Sequence, residues 1–210
     1  MPTGAVRAAG RRGAASSFAT RTPPWRCRTP EHRHPGALLG TLFGVGSTGT
    51  NTVLIAINTV TGAGTLVGSL GQGNLFVRDI AFRPSDGTLF AFAEGLIFTI
   101  NSTTGVATIV GNAGIGFPFG NSLAFQGATL YYANETALYT INQATAAATL
   151  VRNIAYQPAF GTFPRPPAMK CDPVTGTLWT SVVGIFQGAF TNKLGTIDRP
   201  PGRRRSTSSS

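Results

Sequence analysis

The stretch RDIAFRPSDGTLFAFAEGLIFTINSTTGVATIVG, residues 78–111, contains four short apolar runs separated by turn-forming residues. The runs lie at 78–82, 88–93, 96–101 and 107–111. Aromatic and β-branched side chains are frequent in them, which is typical of strands. Pro-Ser-Asp-Gly at 84–87 and Ser-Thr-Thr-Gly at 102–105 supply the residues that tight turns prefer. The stretch therefore predicts a unit of four short strands.

The same pattern recurs along the chain. Its final turn and strand appear as NTVTGAGTLVG at 58–68, NSTTGVATIVG at 101–111 and NQATAAATLV at 142–151. The threonine that opens this strand is Thr65, Thr108 and Thr149, with spacings of 43 and 41 residues. A second landmark, an alanine in the first strand, is placed at Ala81, Ala124 and Ala168. The sequence therefore predicts repeats of about 43 residues.

Repeats of this length, each built from four strands, are typical of β-propeller blades. The predicted fold class is all-β, with about 3.5 four-stranded blades that form an incomplete propeller. Two repeats are complete, one lacks its first strand near residue 41, and one stops after LGTID at 194–198. Because the pattern ends within a blade, we hypothesise a fragment of a longer propeller, or a reading frame whose ends are shifted or wrongly started.

The repeat resembles those of a loose group of bacterial propellers. The residues that carry the resemblance are Ile-Asn, a Thr-Gly turn, Ala-Thr-Leu-Val-Gly, an Ala-Phe strand and Gly-Thr-Leu, and they cover roughly 41–198. The group includes YVTN, NHL and quinoprotein-dehydrogenase-like propellers. The resemblance implies the fold and no particular activity, because such propellers include scaffolds, ligand binders and unrelated enzymes. No quinone site is singled out, and no cofactor is predicted.

The net charge of +10 lies at the two ends of the chain. Residues 1–36 are predicted to be a basic disordered segment, 37–198 a formally neutral repeat domain, and 199–210 a second basic disordered tail. The neutral body gives no reason to expect nucleic acid as a partner. For the ends, a transit peptide and a nucleic-acid-binding element remain alternatives to disorder. No signal peptide or membrane span is recognised, and the compartment is left open, with an extracellular location expected if a longer parent exists.

Few side chains suggest catalysis or metal binding. His32 and His34 form a pair in the basic segment without a further ligand nearby, and 37–198 contains no histidine, which argues against acid–base chemistry by imidazole. Cys27 and Cys171 lie in such dissimilar regions that no bridge is expected, and Cys171 is interpreted as a small buried residue. No catalytic or metal-binding residue is predicted.

Aspartates recur at landmarks of the repeat, at Asp79, Asp86, Asp172 and Asp198. Asp86 and Asp172 lie in the turn between the first two strands, where aspartate is interpreted as a local hydrogen-bonding residue rather than a calcium ligand.

Two loops between the second and third strands are longer than the others. The leucine of the second strand and the isoleucine of the third are 11 residues apart in the two complete repeats, but 15 apart in the first repeat and 19 in the last. These loops should emerge on one side of the domain and form candidate binding loops, although tolerance of insertions explains them equally well. The candidate residues are Ser47, Thr48, Thr50, Asn51, Phe186, Gln187, Phe190 and Asn192.

The leading functional hypothesis is a non-enzymatic binding or surface protein whose exposed loops contact a protein or small ligand. The alternative is a fragment of a propeller hydrolase or oxidoreductase whose catalytic residues lie in missing blades. A third possibility is a homo-oligomer that forms through open blade edges.

Overall fold

The computed structural model describes residues 41–116, 120–172 and 174–197, without the side chain of Thr41. These residues form an all-β array of four antiparallel sheets, as predicted, with one 3-10 turn at Pro158–Phe160. Within this part of the chain no helix is long and apolar enough to span a membrane. The predicted terminal segments 1–36 and 199–210 lie outside the described residues, as do His32, His34, Cys27 and Asp198.

Each sheet is one blade, with consecutive strands as neighbours. Blade 1 contains β1 (Thr41–Ser47), β2 (Thr52–Asn58) and β3 (Gly64–Ser69). Blade 2 contains β4 (Val77–Phe82), β5 (Leu89–Ala93), β6 (Leu96–Ile100) and β7 (Ala107–Asn112). Blade 3 contains β8 (Ser122–Gln126), β9 (Thr129–Ala133), β10 (Ala137–Ile141) and β11 (Ala148–Asn153). Blade 4 contains β12 (Thr162–Cys171), β13 (Leu178–Phe186) and β14 (Ala189–Ile197).

The Ile-Asn landmark ends the third strand because the asparagine closes the following turn. The Asn101 side-chain oxygen accepts hydrogen bonds from the backbone N–H groups of Thr103 and Thr104 at 2.9 and 3.0 Å. The N–H of Gly105 then donates to the Asn101 carbonyl at 2.8 Å. Asparagine and threonine favour such local bonds, and glycine accepts the positive φ that the turn requires. Equivalent bonds form at Asn58 and Asn142.

The core lies between blades rather than within them. Phe92 of blade 2 packs against Tyr132 of blade 3 with ring centroids 4.6 Å apart, in a cluster that both blades share. Similar clusters join blades 1 and 2, and blades 3 and 4. Every residue of β5 is buried because both faces of blade 2 are covered by neighbouring sheets. We call the face of a blade toward the preceding blade its rear face and the opposite face its front face.

The inner strand of blade 4 differs in register from the sequence expectation. In blades 2 and 3, Ala81 and Ala124 lie opposite the residue that follows the leucine of the second strand. In blade 4 the residue at that position, opposite Trp179, is Lys170 and not Ala168. Prolines interrupt the pairing of β12, because a proline cannot donate to the ladder, and its register shifts twice before Ala168. The alanine alignment was therefore wrong by two residues in the last repeat.

Cys171, the last residue of β12, is disulfide-bonded and half-buried. The expectation of an unbridged, buried thiol is therefore wrong. Dissimilar composition of two cysteine-containing regions does not prevent a bridge, because bridge formation depends on the separation of the Cα atoms and the direction of the Cβ atoms.

Candidate functional site

One edge of the array collects the turns on which the candidate binding residues were placed. Because each blade is an antiparallel meander, the turns between its second and third strands emerge at the same edge as the connections between blades. We call this edge the hairpin face. It includes residues 48–51, 94–95, 134–136 and 187–188 together with the described parts of the connections 70–76, 113–121 and 154–161. Backbone bonds join the two sets, as in the bond from the N–H of Ala113 to the Gly95 carbonyl at 2.9 Å.

The first hairpin carries Ser47, Thr48, Thr50 and Asn51, all of which are exposed. Most of their polar groups close the loop itself. The Thr48 N–H donates to the Asn51 carbonyl at 3.0 Å, and the Asn51 N–H donates to the Thr48 hydroxyl at 3.3 Å. The Ser47 hydroxyl donates to the Asn74 side-chain oxygen at 3.1 Å and so attaches the loop to the connection that follows blade 1. The loop is therefore held in one shape by its own side chains.

The last hairpin is not the long loop that its sequence suggested. Residues 184–186 and 189–193 belong to two nine-residue strands, which pair up to Phe186 and Ala189 and are joined by Gln187 and Gly188 alone. Both turn residues have positive φ, at 51° and 79°, the pattern of a type I′ turn. The extra residues thus lengthen the strands, because alternating apolar residues continue the ladder, and the result is a projecting β-hairpin.

The candidate residues of this hairpin lie on both of its faces. Phe190 and Asn192 lie on the front face, and Phe190 is 84% exposed. Phe186 lies on the opposite face, 40% exposed, with the Lys193 ammonium 5.0 Å above its ring. Lys193 also donates a hydrogen bond to the carbonyl of Ala159. Within the described residues no hydrogen bond or ring contact joins this group to the Ser47–Asn51 group, so the structure supports two separate surfaces on the hairpin face.

A second cluster lies where the inner strands of three blades meet. The Asp79 carboxylate accepts hydrogen bonds from its neighbour Ile80 at 2.8 Å and from the N–H of Leu123 in blade 3 at 2.9 Å. The Lys170 ammonium from blade 4 lies 3.8 Å from the Asp79 carboxylate and donates to the Ile80 carbonyl at 3.0 Å. Burial raises the pKa of Asp79 above its ordinary value, while Lys170 and the hydrogen bonds act in the opposite direction.

Sequence reasoning missed Lys170 because the alanine alignment assigned it to the turn. The Gly-Thr-Leu landmark is the signal that locates it. Six residues separate the first two strands in both blade 2 and blade 4. With a turn of that length before Leu178, Cys171 lies opposite Leu178 and Lys170 opposite Trp179. The cluster links three blades and leaves the Lys170 side chain 65% exposed. Its carboxylate and ammonium groups contact the inner strands of all three blades and so hold these strands together.

The aspartates of the first turns serve local structure, as interpreted. Asp86 binds the Arg83 guanidinium at 2.5 and 2.8 Å and accepts from the N–H of Thr88 at 3.0 Å. The Arg83 bonds hold the pKa of Asp86 well below its ordinary value. Asp172 accepts from the N–H of Val174 at 2.8 Å within its own turn. Within the ranges that the structure describes, no three His, Cys, Asp or Glu side chains come together as a metal site.

Comparisons with known proteins add no function. No protein-family model matches the chain, and no curated protein matches it. Similar solved structures include a hydrazine synthase of Kuenenia stuttgartiensis, a nidogen–laminin complex and the PQQ-bound aldose sugar dehydrogenase of Streptomyces coelicolor. The hydrazine synthase is 15% identical over 76% of this chain, with a TM-score of 0.49. The nidogen–laminin complex is 13% identical over 74% of this chain, with a TM-score of 0.48. The sugar dehydrogenase is 11% identical over 81% of this chain, with a TM-score of 0.42.

The chain spans 43%, 61% and 65% of those three chains, less than two thirds of each. No activity, ligand or partner is transferred from them to this protein. The β-propeller architecture is established by the four stacked sheets, whereas membership of the YVTN, NHL and quinoprotein-dehydrogenase-like group stays a prediction.

Proposed function

We propose that this chain is a non-enzymatic, propeller-type binding protein that contacts a protein partner through its hairpin face, chiefly through the β13–β14 hairpin. The main supporting observation is the exposure of two phenylalanines there, 84% for Phe190 and 40% for Phe186. Aromatic side chains offer a large contact area and lose few rotamers on binding, and they are enriched at protein interfaces.

The shape of the hairpin favours a protein over a small ligand. In blade 2 the equivalent hairpin ends at the pair Ala93 and Leu96, which corresponds to Val182 and Lys193 in blade 4. The four further residue pairs of blade 4 extend the ladder by roughly 13 Å. A projecting ribbon has no concavity that encloses a small molecule, whereas it can lie in a groove of another protein or beside a strand of it.

The first hairpin is expected to contribute polar contacts beside this apolar one. Ser47, Thr48, Thr50 and Asn51 are exposed, and their loop is already ordered by internal hydrogen bonds. A preformed loop loses little conformational entropy on binding, so its hydroxyl and amide groups can add specificity at low cost.

The test removes the projection and keeps the blade. Residues 183–192 are replaced by Glu-Gly, the two-residue turn that joins β5 and β6 in blade 2. We expect proteins that the full chain enriches reproducibly from an extract of its native source, measured by quantitative mass spectrometry, to be lost with this variant. The matched control is Val60→Ser, which changes a 92% exposed apolar residue in the turn between β2 and β3, at the opposite edge.

Two results would contradict the proposal. One is an enriched set that is the same for the full chain and the shortened variant. The other is a full chain that enriches nothing above the background of an unrelated β protein. Circular dichroism of the variant confirms that the blades remain folded in either case.

A further inference from the structure

The rear face of blade 1 is exposed at a position that is buried in every other blade. The second strands carry an equivalent leucine: Leu42, Leu89, Leu130 and Leu178, each paired with the isoleucine of the Ile-Asn landmark or its counterpart. Leu89, Leu130 and Leu178 are at most 1% exposed because each packs against the front face of the preceding blade. Leu42 is 55% exposed.

The front face of blade 4 shows the complementary difference. Trp179 and Leu194 occupy the positions of Phe90 and Ile97 in blade 2. Phe90 and Ile97 are at most 1% exposed because blade 3 covers them, whereas Trp179 is 40% and Leu194 is 69% exposed. Blade 4 therefore exposes apolar residues at positions that, in blade 2, are buried by the next blade of the chain.

The two exposed faces are complementary in relief. On blade 1, Gly44 and Gly46 follow Leu42 on the rear face, and the side chains of Ile57 and Ile55 lie across them. The absence of side chains on the two glycines leaves this face shallow, while large side chains project from blade 4. None of these residues is charged. Lys170, which lies opposite Trp179 on the front face of blade 4, is already paired with Asp79 at 3.8 Å, so contact over Trp179 and Leu194 does not require burial of an unpaired charge.

From these faces we infer that copies of this chain associate head to tail, with the front face of blade 4 of one copy on the rear face of blade 1 of the next. The interfaces between blades inside the chain show what covers each such face: the opposite face of another blade. Each copy carries both halves of the contact, which makes the interface heterologous, so copies form a ring if the rotation closes and a filament if it does not. This inference is independent of the proposed hairpin function, because Leu42, Trp179 and Leu194 carry it.

The test measures the mass of the full-length chain by light scattering after size exclusion over a range of concentrations. We expect the wild type to assemble. Leu42→Asp and Leu194→Asp should each be monomeric, because every head-to-tail contact between identical copies would bury the introduced carboxylate. The matched control is Leu150→Asp on β11. Leu150 is 54% exposed, and the equivalent Leu66 and Ile109 are also at least half exposed, so this position is not specific to an end of the array. The control should assemble like the wild type.

Mixing the two monomeric variants identifies the geometry. Leu42→Asp keeps an intact front face and Leu194→Asp an intact rear face, so an equimolar mixture should form a dimer with a single interface and grow no further. A monomeric wild type overturns the inference, and so does a Leu42→Asp variant that still self-associates, since that would mean contact between two front faces. Formation of the mixed dimer also shows that both variants are folded.

Discussion

Asp79 illustrates how a single residue joins three blades. Its carboxylate receives an N–H from its own strand and one from β8, and lies near an ammonium from β12. Burial is the largest influence on its pKa and raises it, since the buried carboxylate loses hydration that its hydrogen bonds and Lys170 only partly replace. The residue therefore connects the inner strands at the expense of a partly desolvated charge.

The raised pKa of Asp79 predicts how its contribution to the stability of the fold depends on pH. The pKa is higher in the folded chain than the ordinary value of 3.8, so the folded state retains the proton over a pH range in which the unfolded state has lost it. The contribution of Asp79 to stability is therefore largest below the unfolded pKa and falls as pH rises through the folded pKa. The difference in melting temperature between wild type and Asp79→Asn, followed from about pH 3 to pH 7, should change in favour of the variant as pH increases.

Asp86→Asn is the matched control, because its pKa is shifted in the other direction. The Arg83 bonds lower the folded pKa of Asp86, so its contribution is present above the unfolded pKa and is lost as pH falls. The difference between wild type and Asp86→Asn should therefore have the opposite slope. Equal slopes for the two variants would show that burial does not dominate at Asp79.

At the level of elements, the turn between second and third strands decides what each blade presents on the hairpin face. Blade 2 uses Glu94 and Gly95, and blade 4 uses Gln187 and Gly188, with positive φ in all four residues. Type I′ turns match the twist of the strands they join and favour asparagine followed by glycine. The same turn thus closes a five-residue ladder in one blade and a nine-residue ladder in the other.

The conformation of this turn predicts opposite effects of two exposed substitutions. Gln187→Asn should raise the free energy of unfolding by about 0.5 kcal/mol, because asparagine tolerates the left-handed region better than glutamine. Gly188→Ala should lower it by about 1 kcal/mol through backbone conformation alone, since an added Cβ would meet no atom within 4 Å. Urea unfolding measures both effects, and equal stabilities for the two variants would refute the type I′ assignment.

In the whole molecule, neighbouring blades stabilise one another. Side chains at equivalent positions of different repeats therefore contribute different amounts to the free energy of unfolding. Leu130 is covered by the front face of blade 2, while the equivalent Leu42 is more than half exposed. The stability of such an array depends on interfaces between neighbours as much as on single repeats.

Two alanine substitutions measure this difference. We expect Leu130→Ala to cost about 3 kcal/mol because it leaves a cavity between blades 2 and 3. Leu42→Ala should cost less than about 1 kcal/mol in the monomer, where little of its surface is buried. Thermal unfolding at low protein concentration compares them, and similar losses would mean that blade 1 is covered in the monomer.

The strands and their turns could be predicted from sequence because their signals are local. Ile-Asn followed by a Thr-Gly turn specifies hydrogen bonds within five residues, and the predicted strands of blade 2 agree with the observed ones to within two residues. The last hairpin was misjudged because spacing alone does not distinguish an inserted loop from a longer ladder. Lys170 was missed because the alignment used Ala168, which pairs with Ser181, instead of the residue opposite Trp179.

The sequence by itself determined the all-β class, the repeat of about 43 residues and the turn positions, since strand alternation and asparagine- or aspartate-closed turns depend on neighbours along the chain. Only the tertiary structure decided that Asp79 meets Lys170, that Cys171 is bridged, and that Leu42 is exposed while its equivalents are buried. These properties depend on which surface of another blade lies opposite, and residues tens of positions apart make that contact. Identical repeat patterns can therefore have different surroundings.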